Sequence, residues 1–316
     1  MKIDLCASMQ HYAAHLLPIF NALPDDVKGR VWPVEHPTPA PLPGRAALVA
    51  SWQDVAQLSG RAPMVYVEHG AGQTYGGERA SARAPGYSGS GGERHFGVIG
   101  FISPSQEVAD RWTTAPSIAV GCPKLDDRLF RFGADPWNVC FAWHWDGSAV
   151  SPEAGTAWYH YSVEMPAIVR AFQDQGLDVY GHAHPRWGGQ LDPLLADAGM
   201  TVLHTDDEVF STCGTLFVDN SSIGVEQMAF GGTTIWMNTP AYRRDVFHGG
   251  RFWDWTIDIP EVDGPQDLIG LDAGTILAWN HDVSARGRIV EQVYAYTDGS
   301  SAQRAANWIV DLIGRR

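Results

Sequence analysis

The chain predicts an α/β protein of two Rossmann-like domains facing a cleft. Three observations carry this reading. Short apolar runs of strand length alternate with helical runs along most of the sequence, the pattern of parallel βαβ units. The alternation starts afresh after a connector, Asp126–Pro136. The length, 316 residues, is generous for one hydrophobic core and suits two of about 150 residues each.

In the first series Lys2–Ser8 reads as a strand and His11–Leu23 as an amphipathic helix, stopped by the turn Pro24-Asp25-Asp26. Val27–Val34, Ala46–Ser51 and Ala62–Gly70 follow as short strands, with the helix Trp52–Gly60 between the last two. Beyond a glycine-rich stretch come the strand Phe96–Ser103, the helix Pro104–Trp112 and the strand Ser117–Pro123. The second series runs strand Asn138–Trp145, one long helix near Tyr161–Gln175, strand Asp178–His184, helix Asp192–Gly199, strand Met200–Thr205 and a short helix Asp206–Thr212. It ends with the strand at Leu216–Val218, the helix Ile223–Phe230 and the strand Thr233–Thr239. The expected domains are residues 1–125 and 126–300, followed by a C-terminal helix over 301–316.

Composition narrows the function classes. A 45% hydrophobic content with 13 Trp, 12 Phe and 10 Tyr predicts folded cores rather than disorder. The formal charge of −14, with no basic stretch to offset it, disfavours non-specific binding to nucleic acid or anionic membranes. Cys6, Cys122, Cys140 and Cys213 are scattered, without a CxxC pair, so a reducing, cytoplasmic compartment is expected. The first twenty residues do not form a signal-peptide core, and no run approaches the ~18 apolar residues that span a bilayer.

The most informative stretch is Thr215–Asp245. An apolar strand runs into the polar turn Asp219-Asn220-Ser221-Ser222, which offers N-cap chemistry, and then into a helix. A helix opening beyond a strand end aims N–H groups and positive dipole outward, a seat for a diphosphate. Glu226, about one turn into the helix, is placed to take ribose hydroxyls. An ordinary strand-turn-helix unit explains the same residues.

Histidines supply the other candidates. His69 sits where a strand meets the loop, and an imidazole there can act as general base on an acceptor hydroxyl. His182 and His184 alternate near the end of another strand and share a face, so both can enter the cleft or chelate a metal. No nearby acid or cysteine completes a metal set, and none is expected. His11 and His15 have i,i+4 spacing without the Glu of HExxH and read as helix residues. Gly70–Tyr75 departs from GxGxxG at Tyr75, there is no phosphate-binding GxxxxGK[ST] loop, and no GxSxG supports a serine hydrolase. The segment Ala84–Gly92 has the composition of a mobile loop. Trp143, Trp145, Trp158 and Trp187 cluster near strand ends, as core or as stacking surfaces.

In order, the chain carries HG at His69-Gly70, GCPKLD at Gly121–Asp126, HP at His184-Pro185, VDNSSIGVE at Val218–Glu226, GGRFWDW at Gly249–Trp255 and GPQDL at Gly264–Leu268. This series resembles the CDP-glycerol glycerophosphotransferases, the teichoic-acid polymerase family, over about Val65 to Leu268. Departures are Asn220, Cys122 and Lys124, where the family has an aromatic residue, Tyr or Phe, and Arg, and the loop after His69 lacks T-P-x-K.

The resemblance implies a GT-B architecture, with the acceptor on the N-terminal domain and a nucleotide donor on the C-terminal one. His69 and Gly70 then mark the base, with His184 at the donor phosphates and His182 beside it in the cleft. Asn220, Ser221, Ser222 and Glu226 line the donor, and Arg243, Arg244 and Arg251 neutralise the leaving diphosphate. The expected reaction moves a sugar or glycerophosphate group from a nucleoside-diphosphate donor to the hydroxyl of a soluble carbohydrate, small-molecule or protein acceptor. It needs neither cofactor nor metal and no stable membrane association. A glycosyltransferase acting on hydroxylated DNA bases, and a binding module without catalysis, are the alternatives.

Overall fold

A computed structural model describes residues 1–71, 97–112, 114–127, 134–148, 155–242, 258–281 and 283–314. They fall into two compact units. The first comprises Met1–Leu129 with Glu291–Arg316, and the second is built from Phe130 to Val290.

The first unit holds a six-stranded parallel sheet. Its strands are β1 (Ile3–Leu5), β2 (Lys28–Val31), β3 (Ala46–Val49), β4 (Met64–Val67), β5 (Val98–Ser103) and β6 (Ser117–Ala119), in the spatial order β2-β1-β3-β4-β5-β6. β3 and β4 are buried throughout, which is why they read as continuous apolar runs rather than alternating ones. The helices are α1 (Gln10–Ala22), α2 (Trp52–Leu58) and α3 (Gln106–Arg111). Ser51 and Ser105 cap α2 and α3 by accepting from Asp54 N and Val108 N.

Asp4 lies fully buried in β1 and organises this edge of the sheet. Its carboxylate accepts from Arg30 N (2.8 Å), Leu42 N (3.0 Å), Trp32 Nε1 (3.1 Å) and the Arg45 guanidinium (2.9 Å). Burial alone would raise its pKa, but these donors hold it below the ordinary carboxylate value.

The second unit repeats the architecture. β7 (Asp135–Trp143), β8 (Asp178–Ala183), β9 (Thr201–Leu203), β10 (Cys213–Val218), β11 (Thr233–Met237) and β12 (Glu261–Val262) are parallel, in the order β12-β11-β10-β7-β8-β9. The expected long helix near Tyr161–Gln175 is two: α4 (Trp158–Tyr161) and α5 (Met165–Gln173), with Pro166 in the first turn of the second. Proline lacks an N–H and is tolerated at a helix start but not inside one, so the chain restarts there. Then come α6 (Gly188–Asp197), α7 (Asp206–Thr212) and α8 (Ile223–Phe230). A capping box between Thr205 and Glu208 starts α7.

β12 and the helices α9 (Pro265–Ile269), α10 (Ala273–His281) and α11 (Val283–Val293) have no counterpart in the sequence reading. β12 is two residues long and has no periodicity to detect. The Tyr161 hydroxyl holds it, donating to the carbonyls of Asn238 (2.9 Å) and Val262 (3.2 Å).

The last helix, α12 (Ser301–Gly314), belongs to the first unit. Ala305, Ala306, Ile309, Leu312 and Ile313 pack into the same core as Ile3, Leu16 and Leu48. Its cap comes from far along the chain: the Asp126 carboxylate accepts from Ser301 N (3.0 Å) and Ala302 N (2.6 Å). Gly121, at φ +91°, sits where a Cβ would meet the Tyr296 carbonyl oxygen, so the turn before Asp126 requires glycine.

Candidate functional site

Open α/β sheets bind ligands beyond the carboxyl ends of their strands, where the strand order reverses. In the second unit that reversal lies between β7 and β10. The residues following those strands, His144 and Asp219, are joined directly: His144 N donates to Asp219 Oδ1 at 2.8 Å. Oδ2 accepts from Thr156 Oγ1 and from Ala157 N, both at 2.9 Å. Asp219 thus ties the end of β7 and the start of α4 to the turn that opens α8.

This corrects the expected N-cap. Ser222 is helical (φ −62°, ψ −17°), and its side chain makes no capping bond. The acidic side chain of the turn is turned inward and used by the fold, while the amides of Gly224 and Val225 donate to the carbonyls of Ser221 (3.3 Å) and Ser222 (3.0 Å). Burial pushes the Asp219 carboxyl up to about 6, against the donated hydrogen bonds that favour its charged form.

Of the remaining expected donor residues, Asn220 and Glu226 are buried, and Ser221 and Ser222 are half-buried at the mouth of the turn. Gly224 allows α8 to sit close on the sheet. A Cβ there would lie 2.6 Å from the Trp236 ring and 2.8 Å from Val218 Cγ1, and its carbonyl accepts from Thr234 Oγ1 at 2.7 Å.

His184 follows β8, the neighbour of β7, and its ring lies 5.3 Å from that of His144. Its Nδ1 accepts from Arg186 N at 3.1 Å, which leaves the proton of the neutral ring on Nε2. His182 does not share this setting. It is buried inside β8, with Nδ1 2.9 Å from the Leu203 carbonyl and Nε2 3.4 Å from Asp206 Oδ1. Its ring therefore faces β9 and α7, and only His184 stands past the end of the strand.

The aromatic residues divide likewise. Trp143 and Trp158 are core, packed edge to face at 5.2 Å, and Trp187 lies against Tyr159 at 5.9 Å. Trp145 carries the Arg186 guanidinium over its ring at 5.1 Å.

In the first unit His69 follows β4, and Gly70 takes φ +74°, the left-handed turn that starts the loop. Beside His69 stand the helix residues His11 and His15, with ring centroids at 6.3 and 6.1 Å, and Tyr12 edge-on at 4.7 Å. By sequence alone His11 and His15 read as ordinary helix residues. Their i,i+4 spacing puts both on one face, but only the sheet order reveals that this face meets the end of β4. No group of three or more His, Cys, Asp or Glu among the described residues is arranged to hold a metal ion.

Arg243, Arg244 and Arg251 lie outside the described residues, as do the GGRFWDW stretch and Ala84–Gly92. No helix among the described residues is long and apolar enough to cross a membrane.

No protein-family model matches the chain, and no curated protein matches it. Solved structures do. The wall teichoic acid polymerase TagF, soaked with CDPG, superposes with a TM-score of 0.61 at 11% identity, covering 99% of this chain and 89% of that one. A UDP-N-acetylglucosamine 2-epimerase from Listeria monocytogenes gives 0.56 at 9% identity, with 99% and 96% covered. The S. aureus MnaA–UDP complex gives 0.55 at 10%, with 99% and 97% covered. The resemblance read from the motifs thus holds at the level of fold: the chain has the two-domain α/β architecture of GT-B type found in the teichoic-acid polymerase and the 2-epimerases.

Proposed function

We propose that the chain is a GT-B-type transferase that moves a sugar or glycerophosphate group from a nucleoside-diphosphate donor to an acceptor hydroxyl. The observation that carries this is the turn between β10 and α8. Its aspartate is bonded into the fold, and the positive end of α8 stands at the switch point of the second sheet, the place and polarity a diphosphate requires. Ser221, Ser222 and the positive end of α8 would hold the diphosphate, with Nε2–H of His184 beside them. Asn220 and Glu226 support the turn and the ribose side. Arg243, Arg244 and Arg251 join as further cations in this reading.

His69 is the base of the proposal. It removes the proton of the acceptor hydroxyl as the oxygen attacks the transferred group, and the diphosphate or nucleotide leaves against the positive end of α8 and cationic side chains. Those groups supply the positive potential, so the proposed reaction proceeds in a chelator and uses no cofactor. The acceptor is soluble and the setting cytoplasmic, in keeping with the acidity of the chain. Its structural likeness to UDP-N-acetylglucosamine 2-epimerases supplies a second reading, epimerisation of a nucleotide sugar without an acceptor.

A thermal-shift screen of CDP, UDP, GDP and their sugar or glycerol conjugates tests the core claim. A ligand at 100 times its Kd adds roughly 2.7 kcal/mol; no shift with any of them refutes it. Transfer should fall by about 10²–10⁴ in His69→Ala with the fold intact. Turnover of a UDP-sugar alone, without acceptor, would favour the epimerase reading.

A further inference from the structure

A diphosphate site needs cations at the carboxyl ends of the strands, and the described part of the second unit offers only Arg170, Arg186, Arg286 and Arg288. Arg170 lies in the last turn of α5, on the side where β8 begins. Arg286 donates to Thr233 Oγ1, at the first residue of β11 (2.7 Å). Arg288 pairs with Asp258, ahead of β12 (2.7 Å). These three stand toward the amino ends of the strands. Arg186 alone among the described cations of this unit follows a strand, at the carboxyl end of β8.

Two contacts fix it there. The guanidinium rests over Trp145, which follows β7, the strand paired with β8. A cation over the face of an indole is held there by the ring's quadrupole. The backbone N–H of Arg186 donates to His184 Nδ1, so the same residue sets the tautomer that presents Nε2–H.

The geometry points to Arg186 as a diphosphate-binding cation of the donor site, seated on Trp145 and acting beside His184. This rests on the donor reading above and adds a residue outside the motifs that carry the family resemblance. A guanidinium fork pairs bidentately with phosphate oxygens, and a diphosphate offers it more negative charge and more acceptor oxygens than a monophosphate does. Arg186 therefore separates diphosphates from monophosphates.

Isothermal titration of the full chain with UDP, CDP, UMP and CMP tests this in wild type, Arg186→Gln, Arg186→Lys and the opposite-rim control Arg288→Gln. Expected is at least about tenfold weaker diphosphate binding in Arg186→Gln, about 1.4 kcal/mol, with less than about threefold change for the matching monophosphate. Arg186→Lys recovers part of the loss, and Arg288→Gln matches wild type. Unchanged melting of the unliganded variants shows that the loss is local. Equal diphosphate affinity in wild type and Arg186→Gln overturns the assignment and leaves the donor reading standing. Equal losses for mono- and diphosphate overturn the selectivity, and a wild type that binds neither diphosphate overturns both.

Discussion

Asp219 illustrates how a single buried carboxyl sets the geometry of a turn. It is fully enclosed, and its oxygens bridge the end of β7, the start of α4 and the opening of α8. Its raised pKa also makes it a stability sensor. With a folded value of about 6 against an ordinary 3.8, the native state keeps a proton that the unfolded chain releases. Between about pH 4 and 6 the native state binds more protons, so this group's contribution is greatest at the acid end and declines as pH rises, by up to about 3 kcal/mol. Asp219→Asn should abolish that slope, as read by urea unfolding across pH 4 to 7. If wild type and variant show the same pH dependence, the carboxyl is not protonated as argued. The sequence shows that an acid stands in this turn, but not that it points inward: that depends on amides at His144 and Ala157, more than sixty positions away.

At the scale of the element, α8 owes its position to the missing side chain at Gly224. Any Cβ there would press on the Trp236 ring and Val218, so Gly224→Ala must lift the helix from β10 and β11. Overpacking of this kind costs about 1–3 kcal/mol. Because the proposed diphosphate seat is the start of this helix, the variant should also lose nucleotide-induced stabilisation; retention of the full thermal shift would separate the helix start from binding. The elements themselves were largely legible. β3, β4 and β5 are apolar runs between turn residues, and the apolar spacing of Ile223–Phe230 gives α8 the bounds it has, whereas β2 (Lys28–Val31) is mostly polar. What escaped detection lacked a local signal. α10 is apolar without a clear polar face, β12 is too short for periodicity, and the approach of His11 and His15 to His69 depends on β1 and β4 flanking β3 in the sheet.

At the scale of the molecule, the first unit is assembled from two stretches far apart in sequence, Met1–Leu129 and Glu291–Arg316. The residues of α12 that enter its core would leave apolar surface bare if the helix were removed, a loss on the order of 5–10 kcal/mol and comparable with the whole stability of a domain. A chain ending at Ser300 should therefore lose cooperative unfolding of the first unit, seen as rapid proteolysis within residues 1–129 while the second unit stays resistant. Survival of both units would show that the last helix is dispensable. The sequence revealed the terminal helix and its length, but not its docking, since nothing local to Ser301 announces that Asp126 will meet it.

That distant carboxylate imposes an order on biosynthesis. Until the helix Ser301–Gly314 has been made, residues 1–129 lack the piece that closes their core, whereas the segment between already contains all six described strands of its own sheet. The segment between can mature first, and the earlier residues must wait, with part of their interior open to chaperones, until Ser301 reaches its partner.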